Sequence, residues 1–189
     1  GAGNIFRAFP AALQQKLLNE GIEKTGIIVA EGYDYEIIKK AYRPQDDLSL
    51  LVTLKANGTI EKTVIGSLAE SLTVDRHDAA DWNRLKEIFA SNTLQMVSFT
   101  ITEKGYSITS PDGAFRADVK ADFEAGPENA DSYIGKLAAL CYWRYTQGAA
   151  PLALVSMDNC SHNGDKLFAA VDAYAKAWTE NGKAEKGFL

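Results

Sequence analysis

The chain has 189 residues, with enough apolar side chains for one globular domain and its own core, and two cysteines, too few for a disulfide framework. Its formal net charge of -5 argues against the clustered Lys and Arg that nucleic acid or an anionic membrane surface would need. No apolar run reaches the roughly 20 residues of a membrane span and no signal-peptide layout opens the chain, so a reducing, cytoplasmic setting is the simplest expectation.

GAGNIFRAF, residues 1–9, reads as a turn entering a helix, with Ile5, Phe6, Phe9, Leu13, Leu17 and Leu18 at helical spacing before Gly21. TGIIVAE follows as a short buried strand. LSLLVTL and KTVIGSL flank Asn57-Gly58, which predicts a β-hairpin with a type I′ turn. Residues 81–90 put Trp82, Leu85, Ile88 and Phe89 on one helical face, and LQMVSFTI is a second buried strand. Ser110-Pro111-Asp112-Gly113 reads as a turn, and the stretch with Gly126 and Pro127 as a loop. A helix from about Asp131 carries Tyr133, Ile134, Leu137, Leu140, Cys141 and Tyr145 inward and ends near Gly148. PLALVSM is a third buried strand, and a last helix turns Leu167, Phe168, Val171, Tyr174, Ala175 and Trp178 inward.

This alternation predicts an α/β fold: a doubly wound, mostly parallel sheet with an inserted β-hairpin, whose ligands lie outside the carboxyl ends of its strands. Because the first residues already form a turn running into a helix, we expect a segment of a longer polypeptide whose first strand is missing.

Four loops occupy those strand ends. In the first, Gly1 and Gly3 allow a tight turn and close approach to a pyrophosphate at the helix start, beside Asn4 and Arg7; Phe6 stands where a third glycine is usual. An ordinary turn with a solvated Arg7 accounts for the same residues. In the second, Glu31, with Asp34 close behind, can accept both ribose hydroxyls of an adenosine and repel a 2′-phosphate, unless it is merely solvated. In the third, Thr102, Glu103 and Lys104 can reach ribose or nicotinamide, with Gly105 permitting close approach; a plain strand exit is the equal alternative. In the fourth, Asn159 and Asn163 offer neutral amide donors to an alkoxide or polarised carbonyl, with His162 between them. The alternative makes Asp158 or Asn163 a helix cap and His162 a surface residue. His77, His162, Cys141 and Cys160 lack paired ligand spacing, so no metal site is expected.

The strings GAGNIFRAF, VSFTITEKGY and MDNCSHNG, in this order and at these separations, resemble the mannitol dehydrogenase family, the polyol-specific long-chain dehydrogenases that include fructuronate reductase. The likeness spans essentially the whole chain. PQDDLSLLV, residues 44–52, also resembles a family stretch, in which Gly and Tyr more often stand at the positions of Asp47 and Ser49. What the resemblance implies is a Rossmann domain over residues 1–189 that binds NAD, with NADP less favoured. In the whole enzyme a largely helical substrate domain would follow and bring a lysine general base that has no counterpart here; the family is metal-independent. Asn159 matches the family asparagine that holds the reacting oxygen, Gly1, Gly3 and Arg7 match its nucleotide loop, and Glu31 matches approximately. The implied reaction is hydride transfer between the nicotinamide and a small-molecule polyol or sugar acid, with Asn159, His162 and Asn163 toward the substrate. A non-catalytic nucleotide-binding or sensing module, or one for another adenosine ligand such as S-adenosylmethionine, is the alternative; it shares the first two loops and needs neither of the last two.

Overall fold

The computed structural model describes residues 1–148 and 150–189, which form two compact units, Gly1–Asp75 and Arg76–Leu189.

In the first unit the chain is helical over residues 4–19, as α1 (Asn4–Phe6), a π-helical stretch (Arg7–Ala11) and α2 (Ala12–Asn19). Pro10 lies inside the π stretch. It has no N–H to donate and its ring crowds the carbonyl four residues back, and the wider turn relieves both. The expected apolar face shifts in consequence. Phe6 and Ala11, five residues apart, are buried, whereas Ile5, Phe9 and Leu13 are about three-fifths exposed.

Then come β1 (Ile27–Glu31), α3 (Tyr35–Ile37), a second π-helical stretch (Ile38–Tyr42), the hairpin strands β2 (Ser49–Leu54) and β3 (Ile60–Ile65), and β4 (Leu68–Thr73). β1 and β4 pair in parallel, from Ile27 opposite Leu68 to Glu31 opposite Thr73. β4 was not expected: LAESLT consists mostly of helix formers and becomes a strand through its ladder to β1. Phe6 and Ala11, Val29 of β1, Ile38, Tyr42 and Ile65 close the core around Ala2.

The hairpin forms as predicted but its turn differs. Gly58 N donates to Lys55 O at 2.9 Å and Lys55 N to Thr59 O at 2.9 Å, which leaves three loop residues instead of two. Gly58 has φ +83 while Asn57 is not left-handed, so this is a type I turn with a bulged glycine rather than type I′. Asn57 contributes its side-chain oxygen, which accepts from Thr59 N at 3.0 Å. Asp47, where the resembling family more often carries Gly, has φ 58, a left-handed conformation that costs an aspartate more than a glycine.

The second unit contains α4 (Ala79–Ala90), β5 (Met96–Phe99), α5 (Glu103–Tyr106), α6 (Ala117–Ala125), α7 (Tyr133–Thr146), β6 (Ala153–Ser156) and α8 (Asn163–Glu180). Asp78 caps α4 by accepting from Asp81 N at 3.2 Å, and Ser132 caps α7 by accepting from Gly135 N at 3.2 Å. β5 and β6 pair in parallel, Met96 with Ala153 through Phe99 with Ser156. Leu85, Phe89, Ile134, Leu137, Leu140, Leu167 and Trp178 are buried, and the rings of Phe123, Tyr174 and Trp178 meet edge to face at 4.9 and 5.3 Å. Phe168, expected inward, is 72% exposed, because the buried row of α8 runs Leu167, Ala170, Tyr174, Trp178 and the next residue along turns about 100° away from it. Tyr145 likewise lies at the surface.

One buried side chain sets the entry to both strands. The Arg144 guanidinium of α7 donates to Phe89 O (2.7 Å) and Ser91 O (2.8 Å) at the end of α4, to Leu94 O (3.1 Å) ahead of β5, and to Ala150 O (2.7 Å) ahead of β6. A cation also suits the carbonyl end of α4. No helix among the described residues is long and apolar enough to cross a membrane.

Replacing Arg144 by Met would keep the packing volume but strand those carbonyls, and should cost about 3 kcal/mol or more, read as a drop in the denaturant midpoint; a loss under 1 kcal/mol would show that water replaces the guanidinium. The two free cysteines should separate by reactivity. Burial pushes the Cys141 thiol up to about 12, so at pH 8 it stays protonated, whereas Cys160 lies in a loop with Lys166 Nζ 3.3 Å from its sulfur. Ellman's reagent at pH 8 should label one thiol quickly, and Cys160→Ser should remove that phase.

Candidate functional site

In the first unit the glycine turn is built on β1. Ala2, fully buried between Gly1 and Gly3, donates its N–H to Glu31 Oε2 at 2.6 Å and accepts from the Tyr42 hydroxyl at its carbonyl, also at 2.6 Å. Glu31 is the last residue of β1 and is buried. Its other oxygen accepts from Tyr33 N at 2.8 Å and Asp34 N at 3.2 Å. Glu31 thus stands where the sequence places it, but three backbone N–H groups already hold its carboxylate. Asp34 is exposed.

Beyond the turn, Gly3 is exposed, and a Cβ there would meet no atom within 4 Å. No side chain caps the helix start, so its first N–H groups have no partner from the helix itself or from a capping side chain. Arg7 Nη2 donates to Asn4 Oδ1 at 2.5 Å, and the guanidinium lies 5.8 Å from the Tyr42 ring centre. Burial pushes the Tyr42 phenol up to about 12, so it remains a donor to Ala2 O at neutral pH. Sequence reasoning missed Tyr42; a Tyr at a core position implies a partner for its hydroxyl, yet nothing in the spacing says which.

In the second unit the two other loops leave the carboxyl ends of the parallel pair β5 and β6. TITEKGY is no bare strand exit: residues 103–106 form α5, with Gly105 N donating to Thr102 O at 2.8 Å. Thr102, Glu103 and Lys104 are exposed. Glu103 pairs with Lys166 Nζ at 2.6 Å, and that hydrogen bond holds its carboxyl below the usual range. Gly105 serves packing, since a Cβ there would press on the Ile101 side chain at 3.0 Å.

After β6, Asp158 organises the loop. Its Oδ1 accepts from Cys160 N at 3.2 Å and from Asn163 Nδ2 at 3.2 Å, its carbonyl accepts from the same Asn163 amide at 3.1 Å, and its Oδ2 accepts from the Tyr106 hydroxyl. Asp158 does not cap α8; Asn163 is the first residue of that helix, and its Oδ1 accepts from Gly164 N at 2.8 Å in the first turn. The cap position is His162, left-handed at φ 54 and without a side-chain cap bond. His162 is an exposed side chain, with Nδ1 3.4 Å from Asp165 Oδ2. Asn159 is exposed and takes no part in the bonds that hold the loop. The structure therefore brings Thr102, Glu103, Lys104, Asn159, His162 and Asn163 to one end of one strand pair, and Gly1, Gly3, Asn4, Arg7, Glu31 and Asp34 to the end of the other. Asn163 differs from Asn159 in that its amide is committed to Asp158. No group of three His, Cys, Asp or Glu side chains among the described residues is arranged to hold a metal ion.

Residues 1–185 match the model of the mannitol dehydrogenase Rossmann domain. A D-mannonate oxidoreductase of Thermotoga maritima is 47% identical over 189 residues, which is all of this chain and 35% of that protein. A polyol:NADP oxidoreductase of Gluconobacter oxydans is 31% identical over 94% of this chain and 36% of its own length. Among solved structures, the mannitol 2-dehydrogenase of Pseudomonas fluorescens in a ternary complex with NAD and D-mannitol superposes with a TM-score of 0.75 at 28% identity, covering 95% of this chain and 38% of that one. The chain spans about a third of the length of the curated relatives it matches. Its parallel pairs, helices and hairpin are those of a Rossmann-type α/β fold, and the chain belongs to the mannitol dehydrogenase family.

Proposed function

We propose that this segment is the NAD(H)-binding domain of a cytoplasmic oxidoreductase that transfers a hydride between a nicotinamide cofactor and a polyol/ketose or hexonate/keto-uronate pair. Its type would be that of mannitol dehydrogenase or fructuronate reductase. In this reading a first strand precedes Gly1, and a helical substrate domain follows Leu189 and brings the lysine that moves the substrate proton.

The observation that carries the reading is the glycine turn locked to the acid at the end of the neighbouring strand, with the helix start behind it uncapped. Free N–H groups and the positive end of the helix suit a pyrophosphate, and the bare Gly3 leaves room for it. Asn4 and Arg7 flank that position. An ionised carboxylate has about four acceptor sites, so with three engaged Glu31 can still take one ribose hydroxyl, while its charge opposes a 2′-phosphate. Asp34 adds to that charge. NAD is therefore the preferred cofactor here, although one relative carries NADP in its name.

When bound, the cofactor accepts or gives the hydride at its nicotinamide ring. The chain's own residues orient and polarise. Thr102 and Lys104 reach the nicotinamide ribose, while Glu103 stays paired with Lys166. The exposed Asn159 donates its amide to the substrate oxygen, which is carbonyl in one direction and alkoxide in the other; a neutral amide does this without titrating. His162 lies beside it on the substrate side, and Asn163 serves that side by fixing the loop through Asp158.

The full-length protein should be assayed with fructose, fructuronate and tagaturonate, each with NADH and NADPH, to identify the working pair. On that pair, Asn159→Ala should lower kcat by about 100-fold and leave the cofactor KM within about twofold; a loss confined to cofactor KM would remove Asn159 from the chemistry. Glu31→Gln keeps the shape and one acceptor oxygen but not the charge, and should narrow the NADH over NADPH preference by about tenfold. An unchanged preference would reduce Glu31 to a clamp for the turn.

A further inference from the structure

Asn159 projects from a loop whose two neighbouring residues are both fixed by one carboxylate. Asp158, immediately before it, accepts from the backbone N–H of Cys160, immediately after it, so the segment 158–160 closes on itself around Asn159. The same Oδ1 takes the Asn163 amide, which ties the far end of the loop to its beginning. What holds the carboxylate is Tyr106, only 3% exposed, whose hydroxyl donates to the opposite oxygen, Oδ2. Tyr106 ends α5, the short helix that opens with the Thr102, Glu103 and Lys104 segment. A second tie joins the same two loops, since Lys166 bridges Glu103 Oε1 at 2.6 Å and Cys160 Sγ at 3.3 Å.

We propose that Asp158, held by Tyr106, is the positioning residue that aims the Asn159 amide at the reacting oxygen. This rests on the role given above to Asn159. Such a donor stabilises developing charge only when it is preorganised, and a displacement of about 1 Å is enough to lose much of the effect. An exposed asparagine in an untethered loop would first have to be ordered by the substrate. The Asp158 carboxylate removes that requirement by accepting from the Cys160 backbone N–H just after Asn159 and from the Asn163 side-chain amide at the far end of the loop, and Tyr106 keeps it from turning away. Burial, together with the Asp158 carboxylate, pushes the Tyr106 phenol up, so the donor persists at any pH where the enzyme would work. The pair also couples the two loops, because Tyr106 moves with the segment that reaches the cofactor and Asp158 with the one that reaches the substrate.

In the full-length enzyme, Tyr106→Phe keeps the buried ring and deletes one hydroxyl. It should lower kcat about tenfold, with cofactor KM within about twofold and Tm within about 2 °C. Asp158→Ala should lower kcat further, but added to Asn159→Ala it should lower kcat no more than Asn159→Ala does alone, since it acts through that side chain. Losses that multiply in the double variant, or an unchanged kcat in Tyr106→Phe, overturn the proposal. If Asn159→Ala itself leaves kcat unchanged, the proposed role of Asn159 fails, and the positioning role falls with it. If Asn159→Ala is slow while Tyr106→Phe runs at the wild-type rate, the role of Asn159 stands and the positioning pair alone is rejected.

Discussion

Strands of four to six residues cannot satisfy the backbone groups of the loops that leave them, and in this protein ionised side chains collect those groups instead. Glu31 gathers the N–H groups of Ala2, Tyr33 and Asp34. Asp122 gathers those of Asp131 and Ser132 ahead of α7, and Asp158 takes that of Cys160. Arg144 does the converse with four carbonyls. Each is a charge at least partly withdrawn from water that is tolerable because most of its hydrogen-bonding capacity is met, and each would be costly to strip of its partners. The loops at the strand ends consequently have fixed shapes without long ladders to impose them.

Elements whose periodicity agrees with their environment were legible in the sequence. β1, β5 and β6 read as apolar runs, although the burial expected of them holds only in part, since β6 has no buried residue and Met96 of β5 is 50% exposed; α4, α7 and α8 read as apolar rows at helical spacing because burial selected their inner faces. β4 was hidden because LAESLT favours a helix locally and is a strand only through its partner, and the first helix misled because Pro10 widens it. The hairpin was visible in its dipeptide, but which turn it makes depends on whether two or three residues lie between the last paired positions, and that is a matter of register.

At the candidate site, the residues were legible and their bonding was not. Gly3, Thr102 and Asn159 lie in the three strings and Glu31 ends the strand read from TGIIVAE, and the structure sets them at the ends of its parallel pairs. The partners that give them meaning are 29, 40 and 52 residues away in the cases of Ala2 with Glu31, Ala2 with Tyr42, and Tyr106 with Asp158. No local pattern encodes such pairs. By spacing alone the two asparagines looked equivalent, and only the resemblance singled out Asn159; in the structure Asn163 is bonded to Asp158 and Asn159 is exposed.

The wide turn at Arg7–Ala11 makes the length of the first helix a quantised property. A π-turn holds one residue more than the α-helix around it, so deleting Pro10 would restore regular winding and leave Phe6 and Ala11 on one face, whereas deleting a residue from the regular turns of α2 would swing everything before it by about 100° about the helix axis. The glycine turn sits directly before it and is bolted to Glu31 and Tyr42. It cannot follow such a rotation without breaking both bonds. The stretch between Gly3 and Ala12 can thus give up the one extra residue of its wide turn, but other changes of length on either side would set the glycine turn and α2 out of phase.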